Sequence, residues 1–229
     1  MEGRLFTFLG SIGGHGQEWI ILSHFVLVVG VIFLLARSAT KKMQLVPTGT
    51  QNVLEAYIQG VIAQLEKIQW VKKTARRYLP LIGALGLVIF LSNMTGVIPG
   101  FESPTANINF TLSLALIVFI YYNYVGIKKN GFVNYFKHFM GPMPILAPLM
   151  FPIEIISHFS RIISLSFRLF GSVRGDDMFL MVLLMLVPWL VPLAGFFMLA
   201  AFGVLQAFIF MILTYVYIAG SVMMEHEDH

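Results

Sequence analysis

The sequence predicts an all-α integral membrane protein with five transmembrane helices and one amphipathic helix on the membrane surface. Hydrophobic residues make up 58% of the 229 residues and charged residues only 11%, whereas an ordinary soluble domain is about 25% charged. The mean hydropathy is +0.82, and apolar runs of about the 20 residues that a bilayer-spanning helix needs recur along the chain. No polar linker separates these runs, so residues 1–229 are expected to form a single membrane domain.

The first predicted span covers residues 19–36. Its positive charges (Arg37, Lys41 and Lys42) follow the apolar run instead of preceding it, so the run is not a signal peptide. Residues 50–69 have a different pattern, because apolar side chains recur at helical spacing and polar side chains occupy the other face. This pattern favours an amphipathic helix that lies on the membrane surface.

Two further spans are predicted over residues 79–98 and 108–126, with a short turn-rich loop between them. The segment that follows, as far as Pro152, is aromatic and contains four prolines, which predicts an interfacial connection. The last two predicted helices, 153–187 and 191–224, each exceed 30 residues and are longer than a perpendicular span requires. We therefore expect them to form a long tilted hairpin.

The placement of basic residues predicts the orientation. Eight lie between the first and second spans: Arg37, Lys41, Lys42, Lys67, Lys72, Lys73, Arg76 and Arg77. Three more follow the third span, and the loop between the second and third spans has none. By the positive-inside rule the N-terminus is outside. Five crossings then bring the C-terminus to the cytoplasm.

A permanent charge stands inside an apolar stretch of the fifth span. Arg168 would cost from about 2.5 to more than about 10 kcal/mol at membrane depth, and it cannot escape by losing its proton. Glu154 and Arg161 precede it at seven-residue spacing, so the three side chains nearly eclipse on a helix. The resulting polar stripe is about 21 Å long. A charge so placed favours a functional role over a structural one.

Other charged residues of this span leave alternatives open. Asp177 lies nine residues beyond Arg168 and so points to the opposite face of a regular helix, and Asp176 lies about 80° from the stripe. A local salt bridge with Arg174, beside a kink at Gly175, is an alternative role for these two acids. Likewise, Glu154 and Arg161 at the cytoplasmic end could be an ordinary interfacial pair.

Several classes of function are excluded by what the sequence lacks. It has no cysteine, so thiol catalysis and thiolate metal sites are ruled out. It has no phosphate-binding glycine loop, no nucleophile set and no metal-ligand cluster, so neither a cofactor nor a metal is expected. The basic stretch 67–77 is interpreted as a juxtamembrane anchor and not as a nucleic-acid site.

Two functions of other classes remain as alternatives. A secondary transporter would bind an anionic substrate at Arg168, but such proteins usually show internal repeats, and none is found in this sequence. A haem- or quinone-linked redox subunit would need paired intramembrane histidines. His24 and His158 are poorly placed for such a pair.

Four short motifs carry a family resemblance. Residues 164–172 are SLSFRLFGS, residues 205–210 are LQAFIF, residues 213–217 are LTYVY, and residues 107–113 are NINFTLS. Together they resemble subunit a of the bacterial F-type ATP synthase, and the order and spacing of the first two are especially specific. The resemblance extends over nearly the whole chain. It implies a non-catalytic stator subunit in the bacterial plasma membrane, standing beside a rotating ring of c subunits. The other implied partners are b-type peripheral stalk subunits, the soluble ATPase sector and membrane lipid.

The resemblance also implies roles for individual residues. Two offset half-channels would carry protons to and from carboxylates of the c-ring, with Arg168 between the channels favouring the deprotonated carboxylate. The expected proton path comprises Asp177, Asp176, Gln206, Glu154, Asn107, Asn109, Ser172, Tyr217 and Arg161. Gln206 would face Arg168, and Tyr217 is placed in the outer half-channel. The chain departs from the family at Leu199, where some bacterial members carry a histidine or glutamate. Whether protons or sodium ions are carried depends largely on the ring.

Overall fold

The structure is a computed structural model that describes residues 17–41, 44, 49–67, 72–131, 135, 147–186 and 191–223. Within these ranges it is all-α, as the sequence predicts. The elements that can be described in full are α1 (Gln17–Thr40), α2 (Thr50–Lys67), α3 (Lys72–Val97), α4 (Ile108–Asn130), α5 (Ala147–Leu186) and α6 (Val191–Met223). A short 3₁₀ turn, Pro104–Ala106, joins α3 to α4.

Four of these helices have the length and hydropathy of membrane spans. They are the segments Trp19–Thr40, Arg77–Val97, Ile108–Lys129 and Leu193–Val222. The 40-residue helix α5 is not among them, because it carries charged residues from Glu154 to Asp177 along most of its length. The side chains on the outside of the bundle are largely apolar, Trp19 and Phe33 of α1 among them. Such a surface suits a lipid environment.

The helix α5 begins at Ala147, six residues before the predicted start. The predicted interfacial connection is therefore wrong over 147–152, although its earlier part lies mostly outside the described residues. Pro148 stands in the first turn of α5, where a helix needs no backbone donor, and is tolerated for that reason. Pro152 removes only one intrahelical hydrogen bond, to the carbonyl of residue 148. The prolines thus start the helix instead of preventing it.

The helix α2 has the predicted amphipathic character. Val61 and Leu65 are buried and Gln59 is exposed, as the pattern predicts, but Val53 of the predicted apolar face is also exposed. The Tyr57 hydroxyl donates a hydrogen bond to the carbonyl oxygen of Gly83 in α3 at 2.8 Å. This contact fastens α2 to the main bundle.

Contacts between α3, α4, α5 and α6 show that neighbouring helices run antiparallel. Asn93 of α3 donates through Nδ2 to the carbonyl oxygen of Gly203 in α6 (3.1 Å), while Gly86, two turns earlier, packs against Met211. The hydroxyls of Thr111 in α4 and Ser166 in α5 lie 3.1 Å apart, and later in α4 Asn123 Oδ1 lies 3.3 Å from Nε2 of His158, earlier in α5. The bundle therefore has two ends, which we call the loop end (residues 98–107) and the basic end (Arg37, Lys128 and Lys129).

Candidate functional site

Arg168 lies on the outside of the bundle. On α5 the side chains of Leu165, Ser166 and Leu169 point into the core, with relative exposures of 2% or less. Arg168, by contrast, is exposed, as is Gly171 one turn further on. Within the described part of the chain, Arg168 has no hydrogen-bond or ion-pair partner. Its guanidinium is thus presented to whatever lies beside the bundle.

Gln206 lies at about the same level on the next helix. Leu180 packs against Gly195 and Arg161 lies over Tyr217. Interpolation between these two contacts places Gln206 opposite about residue 170, within one turn of Arg168. Unlike Arg168, Gln206 is buried, with 7% of its surface exposed. Its buried Nε2 has no hydrogen-bond partner among the described residues, which is unusual for a buried polar atom.

A wide cavity opens at the loop end of the bundle. Its volume available to water centres is about 280 Å³, which is enough for several molecules. Asn107, Arg174 and Asp177 line it together with Glu102 of the loop. The remaining wall is mostly apolar. The cavity thus brings together two of the predicted outer-path residues, Asn107 and Asp177, with two charged residues that the sequence analysis did not assign to this path.

A narrow cavity continues the wide one toward the middle of the bundle. Its volume available to water centres is about 20 Å³, close to the space that one water molecule needs. It shares Gly96, Ser103 and Asp177 with the wide cavity. The rest of its lining comes from α3, α5 and α6: Asn93, Val173, Asp176, Leu199 and Gly203. Both predicted channel acids therefore border this cavity.

A chain of buried hydrogen bonds supports the narrow cavity. The Thr105 hydroxyl donates to Asn93 Oδ1 at 2.6 Å and lies 2.5 Å from the Ser103 hydroxyl. Ser103 in turn donates to the backbone carbonyl of Ser92 at 2.7 Å. The sequence analysis missed this network. An amide within an apolar span, as at Asn93, is the signal that could have revealed it.

Two other predicted residues have local hydrogen bonds. Asn107 caps α4, because its Oδ1 accepts from the backbone amide of Asn109 at 2.8 Å. Asn109 itself is exposed and does not line either cavity. Ser172 is half-buried, and its hydroxyl donates to the carbonyl of Leu169 at 3.1 Å.

Arg161 and Tyr217 lie together toward the basic end. The Arg161 guanidinium carbon is 5.6 Å from the centroid of the Tyr217 ring, within the range of a cation–π interaction. Tyr217, expected in the outer half-channel, lines neither the wide nor the narrow cavity and lies beside Arg161 instead. Because α6 runs antiparallel to α5, each residue after Gln206 lies further from the loop end. Glu154 is half-buried on α5 about two turns before Arg161, and both residues lie on the basic-end side of Arg168.

A polar cluster of His158, Asn123 and Tyr135 lies close to this pair, and the sequence analysis did not predict it. Tyr135 donates to Asn123 Oδ1 at 2.7 Å, and His158 Nε2 lies 3.2 Å from the Tyr135 hydroxyl and 3.3 Å from Asn123 Oδ1. Burial raises the pKa of the Tyr135 hydroxyl. The signal was available, since His158 is four residues after Glu154 and three before Arg161, and so shares their face of α5.

His24 has a separate place, at the loop end. Its Nδ1 lies 2.7 Å from the carbonyl oxygen of Ile20, and its Nε2 lies 3.3 Å from the backbone nitrogen of Glu102. The backbone nitrogen can only donate, so Nε2 accepts and Nδ1 carries the proton. His24 thus ties α1 to the loop, at the opposite end of the bundle from the cluster around His158. The two histidines do not form the pair that a shared haem would require.

Comparison with known proteins gives a consistent match. The family model described as ATP synthase A chain matches residues 19–219. ATP synthase subunit a of Aliarcobacter butzleri is 79% identical over the full length of both chains. The corresponding subunit of a Nitratiruptor species is 57% identical over the full length of both chains. That of Campylobacter curvus is 57% identical over 97% of this chain and 99% of its own.

Proposed function

The chain belongs to the ATP synthase A chain family, and from this premise we propose that it is the stator subunit that conducts protons past a rotating c-ring. The observation that carries the proposal is the exposed Arg168 at mid-height, with a cavity toward the loop end and a separate polar cluster toward the basic end. Two half-channels that do not meet require one polar region on each side of a charge that separates them.

The outer half-channel begins at the wide cavity. Water there brings protons to Asp177, beside Asn107 and Glu102. The narrow cavity and the buried amide of Gln206 continue the path toward the exposed face of α5. A rotor carboxylate that accepts the proton becomes neutral and can then enter lipid at tolerable cost.

The inner half-channel lies on the other side of Arg168. The stripe of Glu154 and Arg161, with Tyr217 from α6 beside it, offers polar groups along one face of α5 toward the basic end. After nearly a full rotation, the rotor carboxylate releases its proton here to the cytoplasm.

Arg168 separates the two half-channels by electrostatics. Its positive charge favours the deprotonated rotor carboxylate and repels protons that would otherwise leak directly from one half-channel to the other. Because a guanidinium does not lose its proton in proteins, Arg168 cannot relay a proton itself. The subunit performs no covalent chemistry in this mechanism, so ATP synthesis takes place elsewhere in the complex.

The proposal includes the arrangement in the membrane. The charged helix α5 crosses as the fourth of five spans, paired with α6, and α2 lies on the cytoplasmic surface of a bacterial plasma membrane. The loop end faces outside and the basic end faces the cytoplasm, in agreement with the positive-inside rule. The c-ring covers the exposed face that contains Arg168, and b-type stalk subunits hold the chain against the soluble sector.

The test is Arg168→Lys in the intact complex. Lysine keeps the charge, but it lacks the planar guanidinium and can lose its proton when desolvated. We expect ATP-driven proton pumping into inverted vesicles to be lost while the complex still assembles. Arg37→Lys, an exposed arginine at the basic end, is the matched control and should pump normally. Pumping by Arg168→Lys near the wild-type level would refute the proposal.

A further inference from the structure

We propose that Asp176 and Asp177 act in series, with Asp177 receiving the proton from the outer water and Asp176 passing it inward. This inference rests on the proposed function and deepens it. It assigns an order to two adjacent acids and explains how the outer path works without a carboxylate or histidine on α6.

The order follows from which cavities each acid borders. Asp177 lines both the wide cavity and the narrow one, so it stands where the two meet. Asp176 lines only the narrow cavity. A proton from the wide cavity therefore reaches Asp177 first, and Asp176 is reached through the narrow space behind it.

The far wall of the narrow cavity shows where the path leads. Leu199 and Gly203 of α6 form this wall, and Gln206 is the next residue on the same helical face. Its Nε2 is buried and unpartnered among the described residues. The line along α6 thus runs from the narrow cavity to a free amide donor at the level of Arg168.

The narrow cavity itself fits a single bridging water. A water needs about 10–15 Å³ and two to four polar partners, and this cavity offers about 20 Å³ bordered by Asp176, Asp177, Asn93 and Ser103. Among the lining residues, α6 contributes only Leu199 and Gly203, neither of which titrates. Asp176 is therefore the second carboxylate that borders the narrow cavity, beside Asp177, and both carboxylates come from α5.

The transfer is balanced without any further reactant. Protonated Asp177 gives its proton to the bridging water, which gives one of its own protons to the Asp176 carboxylate. The pair carries one negative charge before and after the step. Two neighbouring carboxylates favour this singly ionised state, because their like charges oppose simultaneous ionisation.

The test moves the acid from one wall of the cavity to the other. ATP-driven proton flux is measured in inverted vesicles for Asp176→Asn, Asp177→Asn and the double variant Asp176→Asn/Leu199→Glu, with co-purification of the complex as the assembly check. Asparagine keeps the shape but cannot carry the proton. We expect each single variant to lose flux by about 10²-fold or more, the size of a lost proton-transfer group. In the double variant, Leu199→Glu should restore a large part of the proton flux that Asp176→Asn loses.

The matched control is Asp176→Asn/Leu199→Gln, which adds the same volume without an acid and should not restore flux. Restoration by glutamine as well, or no restoration by glutamate in an assembled complex, would overturn the series arrangement. So would wild-type flux in Asp176→Asn combined with loss in Asp177→Asn, and this outcome would leave the proposed function intact. If Asp177→Asn and Arg168→Lys both keep wild-type flux, the proposed function itself fails.

Discussion

Gly86 of α3 is the position where a single methyl group should test the packing of the bundle. An ideal Cβ at this glycine would overlap the Met211 sulfur, and it would lie 2.5 Å from Met211 Cγ and 2.9 Å from the Tyr57 hydroxyl oxygen. Side chains of α2 and α6 therefore lie against Gly86 of α3 at distances that leave no room for a Cβ. Gly86→Ala must displace Met211 or Tyr57.

The magnitude follows from two opposing effects. Overpacking a close-packed site costs about 1–3 kcal/mol, whereas replacing glycine by alanine inside a helix gains about 0.5–1 kcal/mol. Gly83, in the same helix, supplies a matched control, because a Cβ there meets no atom within 4 Å. Gly83→Ala gains only the backbone effect. The two variants should therefore differ in free energy of unfolding by about 1–3 kcal/mol, which is the overpacking cost alone.

The assay is detergent-induced unfolding of the purified chain, with the free energy of unfolding compared across wild type, Gly83→Ala and Gly86→Ala. The shortening substitution Met211→Ala should reduce the cost of the added methyl, since coupled residues in contact show interaction energies of about 0.5–3 kcal/mol. Equal stability of the two glycine variants would refute the packing argument.

Two further outcomes are expected from side-chain hydrogen bonds that lie away from the wide and narrow cavities. Tyr57→Phe removes the bond to the Gly83 carbonyl and should cost about 0.5–1.5 kcal/mol of unfolding free energy. Because burial raises the pKa of Tyr57 from 10.0 to about 12, the contribution of this tyrosine to the free energy of unfolding should be constant below pH 10 and decline between pH 10 and 12. The phenylalanine variant should not show this decline. His158→Phe keeps a ring against Tyr122 but loses the contacts with Asn123 and Tyr135, so it should lower the free energy of unfolding by about 1–3 kcal/mol. Unchanged stability in detergent-induced unfolding would contradict the structural role of this cluster.

Apolar runs in the sequence were sufficient to locate α1, α3, α4 and α6, because the length that a bilayer requires is itself a sequence property. Length and hydropathy do not mark α5 as a membrane span, because its charged stripe lowers its hydropathy. Prolines misled the prediction at the start of α5. A proline in the first turn is compatible with a helix, and sequence alone does not show which turn is the first.

The site was predictable where it depends on helical periodicity and not where it depends on how helices face each other. The stripe through Arg168 follows from seven-residue spacing within one helix. The cavities do not, since their walls combine residues far apart in the chain, such as Asn93 with Gly203. For a related reason the sequence did not reveal that Tyr217 lies beside Arg161, because that contact depends on the antiparallel register of α5 and α6.

The contact between Thr111 and Ser166 has a mechanical consequence for Arg168. Ser166 holds the back of α5 against α4, and the neighbouring Leu169 is buried in the core, at the turn whose front carries the exposed guanidinium. A neighbour that slides past Arg168 exerts a sideways force on this turn. The force is transmitted through the packed side chains into α4, so α5 is braced from behind and bends less than an unsupported helix would. This packing therefore resists displacement of the Arg168 charge.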